Sequence, residues 1–138
     1  ITNNVLVNAA GNLAPGDSIG ELTVGAATID GTLTIELAAA SSSDLLTVTS
    51  AMDITNATLD LIDLGGAFDG STYIIATYGS LTGSQFASVD PLLAANNYGV
   101  DYNYLSGSQI ALVQIPEPAT LMLLTVSGLM LIQRRKHQ

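Results

Sequence analysis

The segment Gly11-Asn12-Leu13-Ala14-Pro15-Gly16-Asp17-Ser18-Ile19-Gly20-Glu21-Leu22-Thr23-Val24 joins a Pro-Gly-Asp-Ser turn to a short strand in which two aliphatic residues flank a threonine. The same strand pattern recurs downstream, as Leu33-Thr34-Ile35, Leu46-Thr47-Val48 and Leu59-Asp60-Leu61. Alternation with a period of two places both aliphatic side chains on one face, which is typical of a half-buried β-strand. Gly, Asn, Asp and Ser residues between these segments favour turns. The pattern therefore predicts short strands that follow one another every 11 to 13 residues.

Two longer strands are predicted later in the chain, at Tyr73 to Tyr78 and Gln109 to Ile115, with shorter ones near 86–89 and 100–104. The chain is thus expected to be all-β. Regular short strands fit a β-sandwich, and they fit equally a solenoid in which each coil stacks on the one before. The spacing alone leaves both architectures open.

The segment from Gly11 to Val24 resembles the autotransporter-associated strand repeat of bacterial passenger domains, whose pattern is Gly-x-Leu-x-Pro-Gly-x-Ser-x-Gly-x-Leu-x-Val. Gly31-Thr32-Leu33, Ser43 to Val48, and Leu81-Thr82-Gly83 followed by Phe86 continue the likeness. The resemblance implies a right-handed parallel β-helix.

The resemblance extends over residues 5–90, and residues 90–115 match it poorly and are expected to form a cap. We therefore expect residues 1–115 to form one solenoid domain of about four or five coils, the C-terminal part of a longer stack. We also expect an N-terminal export signal upstream of Ile1.

The C-terminal residues 116–138 form a second unit. Pro116-Glu117-Pro118 precedes an apolar run and then the basic residues Arg134, Arg135 and Lys136, which are the only Lys or Arg residues in the chain. This arrangement resembles the PEP-CTERM sorting signal of bacteria. The predicted membrane helix runs over residues 119–132, with Ala119, Leu121, Leu123, Leu124, Val126, Leu129, Leu131 and Ile132 as its apolar residues.

A helix of that length spans about 21 Å, which is less than the ~30 Å hydrocarbon core. A buried core helix is therefore the alternative. Snorkelling of the basic residues extends the reach of a membrane helix, and the basic end is expected on the cytoplasmic side, with the body outside. The resemblance further implies a precursor in the inner membrane, cleavage by an exosortase-type membrane protease, and a mature form at the cell surface or in the extracellular medium.

Charge and residue usage exclude several functions. Residues 1–115 carry eleven of the twelve acidic residues and no Lys or Arg, so phosphate cannot be neutralised and no nucleic acid is expected as a partner. The only His is His137 and there is no Cys, which excludes a Ser-His-Asp or Cys-His arrangement in the body. We therefore expect neither catalytic activity nor a cofactor.

We expect no metal site, and the alternative is a calcium site with Asp60, Asp63 and Asp69 as candidate ligands. These carboxylates have no cation to pair with, so they are expected either to face solvent or to bind a hard cation. A catalytic carboxylate pair is the alternative, and it would require two of them in one cleft. Tyr102 and Tyr104 are candidates for an aromatic surface that binds carbohydrate. The alternative is that they lie on one face of a strand and cover a sheet edge.

Together these features predict an exported bacterial surface or matrix protein with a structural or adhesive role and extracellular polysaccharide as a partner. Two alternatives remain: the stalk of an enzyme domain located upstream, and a carbohydrate-binding module built on a β-sandwich.

Overall fold

The computed structural model describes residues 3–116, which form short strands with little helix. The strands are β1 (Val5–Val7), β2 (Asn12–Leu13), β3 (Glu21–Val24), β4 (Ala27–Ile29), β5 (Thr32–Leu37), β6 (Leu45–Val48), β7 (Ala51–Asp53), β8 (Thr58–Asp63), β9 (Tyr73–Thr77), β10 (Ser80–Thr82), β11 (Ser88–Val89), β12 (Tyr98–Asp101) and β13 (Gln109–Gln114). A short helix α1 (Leu92–Ala95) precedes β12, and a 3₁₀ turn (Tyr104–Ser106) precedes β13.

The strands form three sheets, and each coil of the chain contributes one strand to each sheet in turn. The orders are β1-β4-β7-β10 in sheet A, β11-β8-β5-β2 in sheet B, and β12-β13-β9-β6-β3 in sheet C. Strands of successive coils pair in parallel throughout sheets A and B and from β3 to β9 in sheet C. Residues 3–116 therefore form an all-β solenoid of about three turns, and the sandwich alternative is wrong. The expectation of four or five coils was too high.

The four strand triplets read from the sequence all lie in strands, but they alternate between sheet C and sheet B along the chain. Leu22 pairs with Leu46 in sheet C and Leu33 pairs with Leu59 in sheet B, so true neighbours are alternate members of the series. Sheet A supplies the third side through strands of three residues, such as β4 and β7. Both strands begin with alanine, which has a low β-propensity, so they are harder to recognise from the sequence than the triplets that begin with leucine.

The core is a column of aliphatic side chains stacked from coil to coil. In sheet C, Leu46 lies between Leu22 and Ala76 and is fully buried. In sheet B, Leu33 and Leu59 are also fully buried. Burial of each such side chain contributes about 2 kcal/mol, which is how a chain without disulfides holds short strands together.

Hydroxyl groups at one corner of the solenoid bond successive coils to each other. Thr49 Oγ1 donates to the Val24 carbonyl at 3.2 Å, and Ser50 Oγ donates to the Gly25 carbonyl at 3.0 Å. On the face of sheet C, Thr47 Oγ1 donates to the Glu21 carboxylate at 3.1 Å. At the corner, these hydroxyl bonds reinforce the backbone bonds that Thr49 and Ser50 N–H donate to the same two carbonyls.

The parallel repeat ends after β11. Strand β13 pairs antiparallel with β9, and β12 pairs antiparallel with β13, so the parallel order of sheet C stops there. Helix α1 connects β11 to β12 and buries Leu93 at this end of the core. The hairpin and the helix together close the C-terminal end of the stack.

Candidate functional site

The predicted sorting tripeptide begins just after the last strand of the fold. Strand β13 ends at Gln114, and Pro116 is exposed two residues later. Glu117, Pro118, the predicted helix over 119–132 and the basic residues 134–136 lie outside the described residues. Within residues 3–116 no helix is long and apolar enough to cross a membrane.

The calcium candidate Asp60 forms a pair with Asp90. The sequence analysis did not predict this contact. Ser88 and Val89 of β11 lie opposite Thr58 and Leu59 of β8, and the same register sets Asp90 beside Asp60 on the next coil. The carboxyl groups of Asp60 and Asp90 lie side by side on successive coils, and each shifts the pKa of the other. A hydrogen bond between two carboxyl groups requires a proton on one of them.

The surroundings of the pair decide which carboxyl carries the proton. Burial raises the pKa of Asp60, and the hydrogen bond to Asp90 and the charge of that residue act in the same direction. Burial opposes the ionised form of Asp90 as well, but the backbone N–H groups of Leu92 and Leu61 hold its pKa below the usual value. These donors lie 3.0 and 2.9 Å from its two oxygens. When the pair holds one proton, these opposite shifts of the pKa favour Asp60 as its carrier and Asp90 as the acceptor.

Through the same bonds Asp90 links the cap to the stack. One oxygen accepts from Leu92, the first residue of α1, and the other accepts from Leu61 in β8. Thr34 Oγ1 of the preceding coil approaches Asp60 at 3.5 Å and donates to Asn12 Oδ1 at 2.8 Å. A polar ladder therefore runs along the outside of sheet B through every coil, and the carboxyl pair forms its last step.

The other two calcium candidates, Asp63 and Asp69, stabilise turns by accepting hydrogen bonds from backbone N–H groups. Asp63 Oδ1 accepts from the backbone N–H groups of Gly65 at 2.8 Å and Ala67 at 3.2 Å. Asp69 Oδ2 accepts from Ala40 N–H at 2.9 Å, which joins the turns of two successive coils. The backbone N–H of Ala40, together with the hydroxyl and N–H of Ser71, holds the pKa of Asp69 well below its usual range.

Aromatic side chains lie behind Asp69. The rings of Phe68, Tyr73 and Tyr98 contact one another with centroids 5.2 to 6.4 Å apart. The Tyr73 hydroxyl donates to Asp69 Oδ1 at 3.2 Å and accepts from Phe68 N–H, and burial raises the pKa of this phenol. This cluster fixes the 64–72 turn against the cap.

A groove lies at the C-terminal end of the stack between β11 and β12. It has a volume of about 350 Å³ and is lined by Gln85, Phe86, Ala87, Ser88, Val89, Val100 and Tyr102. The Tyr102 hydroxyl accepts from Phe86 N–H at 2.9 Å, and the two rings lie 5.7 Å apart. The groove thus combines an aromatic wall with an exposed amide and hydroxyl, from Gln85 and Ser88.

Tyr104 does not join Tyr102 on a strand. Strand β12 ends at Asp101, and Tyr104 begins the next 3₁₀ turn. The expected alternation between the two tyrosines is therefore absent, and Tyr102 alone lines the groove.

Among residues 3–116, no group of three or more His, Cys, Asp or Glu side chains is placed to hold a metal ion. Asp60, Asp63 and Asp69 each bond to different partners, and they do not converge.

Asp44 shows that not every carboxylate faces solvent, contrary to expectation. Its side chain is fully buried, and it accepts from Gly20 N–H and Glu36 N–H, both at 2.8 Å. Asp44 N–H in turn donates to the Glu36 carbonyl at 2.9 Å. The Ser41-Ser42-Ser43-Asp44 sequence looked like a solvated turn, and nothing local to it indicates the buried carboxylate.

Comparisons with known proteins give no family model that matches the chain, and no significantly similar curated protein or solved structure.

Proposed function

We propose that this chain is an exported bacterial surface or matrix protein with a structural or adhesive role, sorted through its C-terminal segment. The observation that carries the proposal is the position of Pro116. The last strand ends at Gln114 and the Pro-Glu-Pro tripeptide starts at an exposed residue two positions later, so a protease could remove residues 117–138 without cutting the fold.

Charge supports the same proposal. Every Lys and Arg of the chain lies at 134–136, beyond an apolar run, while every charged residue in 1–115 is acidic. A basic cluster next to a hydrophobic helix stays on the cytoplasmic side. In the proposed precursor the helix over 119–132 lies in the inner membrane, the solenoid lies outside the cytoplasm, and an exosortase-type protease cleaves near Pro116.

The solenoid supplies a spacer or adhesive body in this proposal. We infer that its coils wind in the right-handed sense, as crossover connections between parallel strands nearly always do. Polar ladders such as Asn12-Thr34-Asp60 cover the outside of the stack. A high negative charge keeps such a body soluble and away from anionic surfaces.

The groove beside Tyr102 favours carbohydrate as the contact partner. An aromatic wall with a nearby amide and hydroxyl offers the apolar face and the hydrogen-bonding groups that a neutral sugar requires. Extracellular polysaccharide is therefore the proposed ligand class.

The test of sorting is the intact mass of the protein released from its native host. A C-terminus near Pro116 is the expected result. A mass that retains residues 119–138 would contradict cleavage and leave a permanently anchored protein.

A further inference from the structure

The sequence contains one Asp–Pro peptide bond, between Asp90 and Pro91. Strand β11 ends immediately before it at Val89, and helix α1 begins immediately after it at Leu92. The bond therefore joins the parallel stack, residues 3–90, to the cap, residues 91–116. Its chemical stability decides whether the stack and the cap remain one polypeptide.

An Asp–Pro bond is weaker than other peptide bonds for two reasons. The aspartate carboxylate can attack the carbonyl carbon of its own residue, because both groups belong to one residue and close an unstrained ring. The nitrogen of proline is a tertiary amide without an N–H, and it accepts a proton more readily than a secondary amide when the bond breaks. The surroundings of the bond determine whether this reaction is favoured.

The Asp90 carboxylate is held in its ionised, nucleophilic form. Oδ1 accepts from Leu92 N–H at 3.0 Å, and Oδ2 accepts from Leu61 N–H at 2.9 Å. Burial opposes ionisation, but these donors keep the pKa of Asp90 below its usual value. The nucleophile therefore persists at a pH at which an ordinary aspartate is already protonated.

The carbonyl group under attack already accepts a hydrogen bond. Leu93 N–H donates to the Asp90 carbonyl oxygen at 3.2 Å. Addition of a nucleophile places negative charge on this oxygen, and a fixed backbone N–H directed at it stabilises that charge. The Leu93 side chain is buried in the core, so packing holds the donor in place.

The leaving nitrogen needs a proton, and Asp60 holds one beside Asp90. The register of β8 and β11 sets the two residues side by side, and burial together with the Asp90 carboxyl raises the pKa of Asp60. From β5, Thr34 Oγ1 approaches Asp60 at 3.5 Å, and Glu36 is the next acid along that strand. Strand β11 and helix α1 carry no charged side chain. An acid and a carboxylate nucleophile thus lie together at the bond.

Water has access to this region. Pro91 is exposed, and Asp60 and Asp90 are each partly exposed. Water is the co-reactant that a hydrolysis requires, and its access also allows Asp60 to regain a proton from solvent.

We propose that the Asp90–Pro91 bond is a self-cleavage site that separates the stack from the cap. A carboxylate oxygen of Asp90 bonds to the backbone carbonyl carbon of the same residue. The C–N bond to Pro91 breaks with its electron pair on nitrogen, and that nitrogen takes the proton of Asp60. Water then opens the cyclic anhydride and returns a proton to Asp60. The products are a chain that ends at Asp90 and a chain that begins at Pro91.

The cut changes how the C-terminal segment is attached. After it, the cap is held by non-covalent contacts alone, chiefly the ladder between β9 and β13. Residues 117–138 then belong to the same fragment as the cap. Cleavage therefore releases residues 1–90 from a covalent link to the C-terminal segment, whatever that segment does.

Intact mass of the purified full chain in mild detergent tests the proposal, with incubation from about pH 2 to about pH 7. Fragments that end at Asp90 and begin at Pro91 are expected, while the Asp30–Gly31 bond stays intact. Circular dichroism monitors the fold. In urea at the same pH the rate should be at least about tenfold lower, since the unfolded chain lacks Asp60 beside the bond. A folded rate equal to or below the unfolded rate overturns the proposal.

The dependence of the cleavage rate on pH is the second readout. One carboxyl must be protonated and the other ionised, and the pKa values of Asp60 and Asp90 lie above and below 3.8. The rate should therefore pass through a maximum near that pH and fall on both sides. A rate that only rises as pH falls would mean ordinary acid hydrolysis and would overturn the proposal.

Three variants separate the chemistry from the fold. Pro91 has φ −57° and ψ −18°, which alanine adopts without strain, so Pro91→Ala should keep its circular dichroism and cleave at least about tenfold more slowly. Asp60→Asn removes the titrating proton, and the rate maximum should disappear. Asp17→Asn, at an exposed turn, should cleave like wild type. An unchanged rate in Pro91→Ala, or an unchanged pH profile in Asp60→Asn, would contradict the proposed reaction.

Discussion

The Asp44 carboxylate accepts the backbone N–H of Glu36 at a place where no strand is left to do so. Thr32 N–H donates to the Gly11 carbonyl, so even-numbered residues of β5 face the preceding coil. Strand β2 of that coil ends at Leu13, and Asp44 folds back to occupy the vacant position beside Glu36. The Asp44 side chain thus continues the hydrogen-bond ladder along β5 beyond the point where the backbone of β2 ends.

Asp44→Ala should therefore be among the most damaging single changes in the body. It leaves the N–H groups of Gly20 and Glu36 without their acceptor in a buried site, and we expect a loss of about 3 kcal/mol in the free energy of unfolding. Urea unfolding followed by circular dichroism measures it. Asp44→Asn keeps one oxygen and should lose less; equal losses in the two variants would contradict this role.

The Asp60–Asp90 pair should make stability depend on pH in two directions. The pKa of Asp60 is raised, so its contribution is full below the ordinary value of 3.8 and is lost as pH rises through the folded-state value. The pKa of Asp90 is lowered, so its contribution is present above 3.8 and is lost as pH falls through its folded-state value.

Asp60→Asn replaces the shared proton with an amide donor. Relative to wild type, this variant should gain stability as pH rises from 4 to 8, by less than about 1 kcal/mol because the pair lies near solvent. Thermal melts across that range provide the measurement. Asp17→Asn, at an exposed turn, is the control. Parallel pH profiles for wild type and Asp60→Asn would show that no proton is shared.

Asp69 should stabilise two turns at the same time, one in each of two successive coils. Asp69→Ala removes the acceptor of Ala40 N–H and Ser71 N–H, so hydrogen exchange at both amides should quicken although they belong to successive coils. Because the pKa of Asp69 is lowered, its contribution to the free energy of unfolding is present above pH 3.8. That contribution is lost as pH falls through the folded-state value. Faster exchange at Ser71 alone would mean that the link between the coils is unimportant.

Equal truncations in successive coils should differ in cost. Leu46→Ala empties a fully buried position and should reduce the free energy of unfolding by about 3 kcal/mol. Leu22→Ala removes the same side chain one coil earlier, where it is only partly buried, and should cost about 1 kcal/mol. Denaturant midpoints compare the two variants. An equal or larger loss for Leu22→Ala would contradict the view that burial sets the cost.

Sorting should depend on the basic end. Replacement of Arg134, Arg135 and Lys136 by Gln should leave an unprocessed precursor, because positive charge next to the helix sets its orientation. Arg134→Lys with Arg135→Lys keeps the charge and should be processed normally. Cell fractionation with mass analysis distinguishes the two, and normal processing of the Gln variant would contradict the proposed signal.

The sequence predicted most of what depends on local alternation. Leu33-Thr34-Ile35 and its three counterparts were recognised as strands because burial on one face repeats every two residues. Ala27-Thr28-Ile29 alternates in the same way, with Ala27 and Ile29 buried, but it was missed because alanine is a weaker strand signal than leucine.

The contacts between coils could not be read from the sequence. Asp60 meets Asp90, thirty positions away, only because the coil lengths align β8 with β11. Asp44 could not be told from a solvated turn residue, since its acceptor role depends on where β2 stops. These contacts depend on how the residues of successive coils align with one another. That alignment cannot be read from a single sequence.

The antiparallel course of β13 also has a mechanical consequence. This strand runs between β9 and β12 and ends two residues before Pro116. A pull on the chain at Pro116 along the strand direction loads the hydrogen bonds of both ladders at the same time, as in shear, instead of opening them one after another. In the proposed membrane-inserted precursor, before cleavage, drag on the body would therefore meet its greatest resistance at Pro116, where the C-terminal segment leaves the fold.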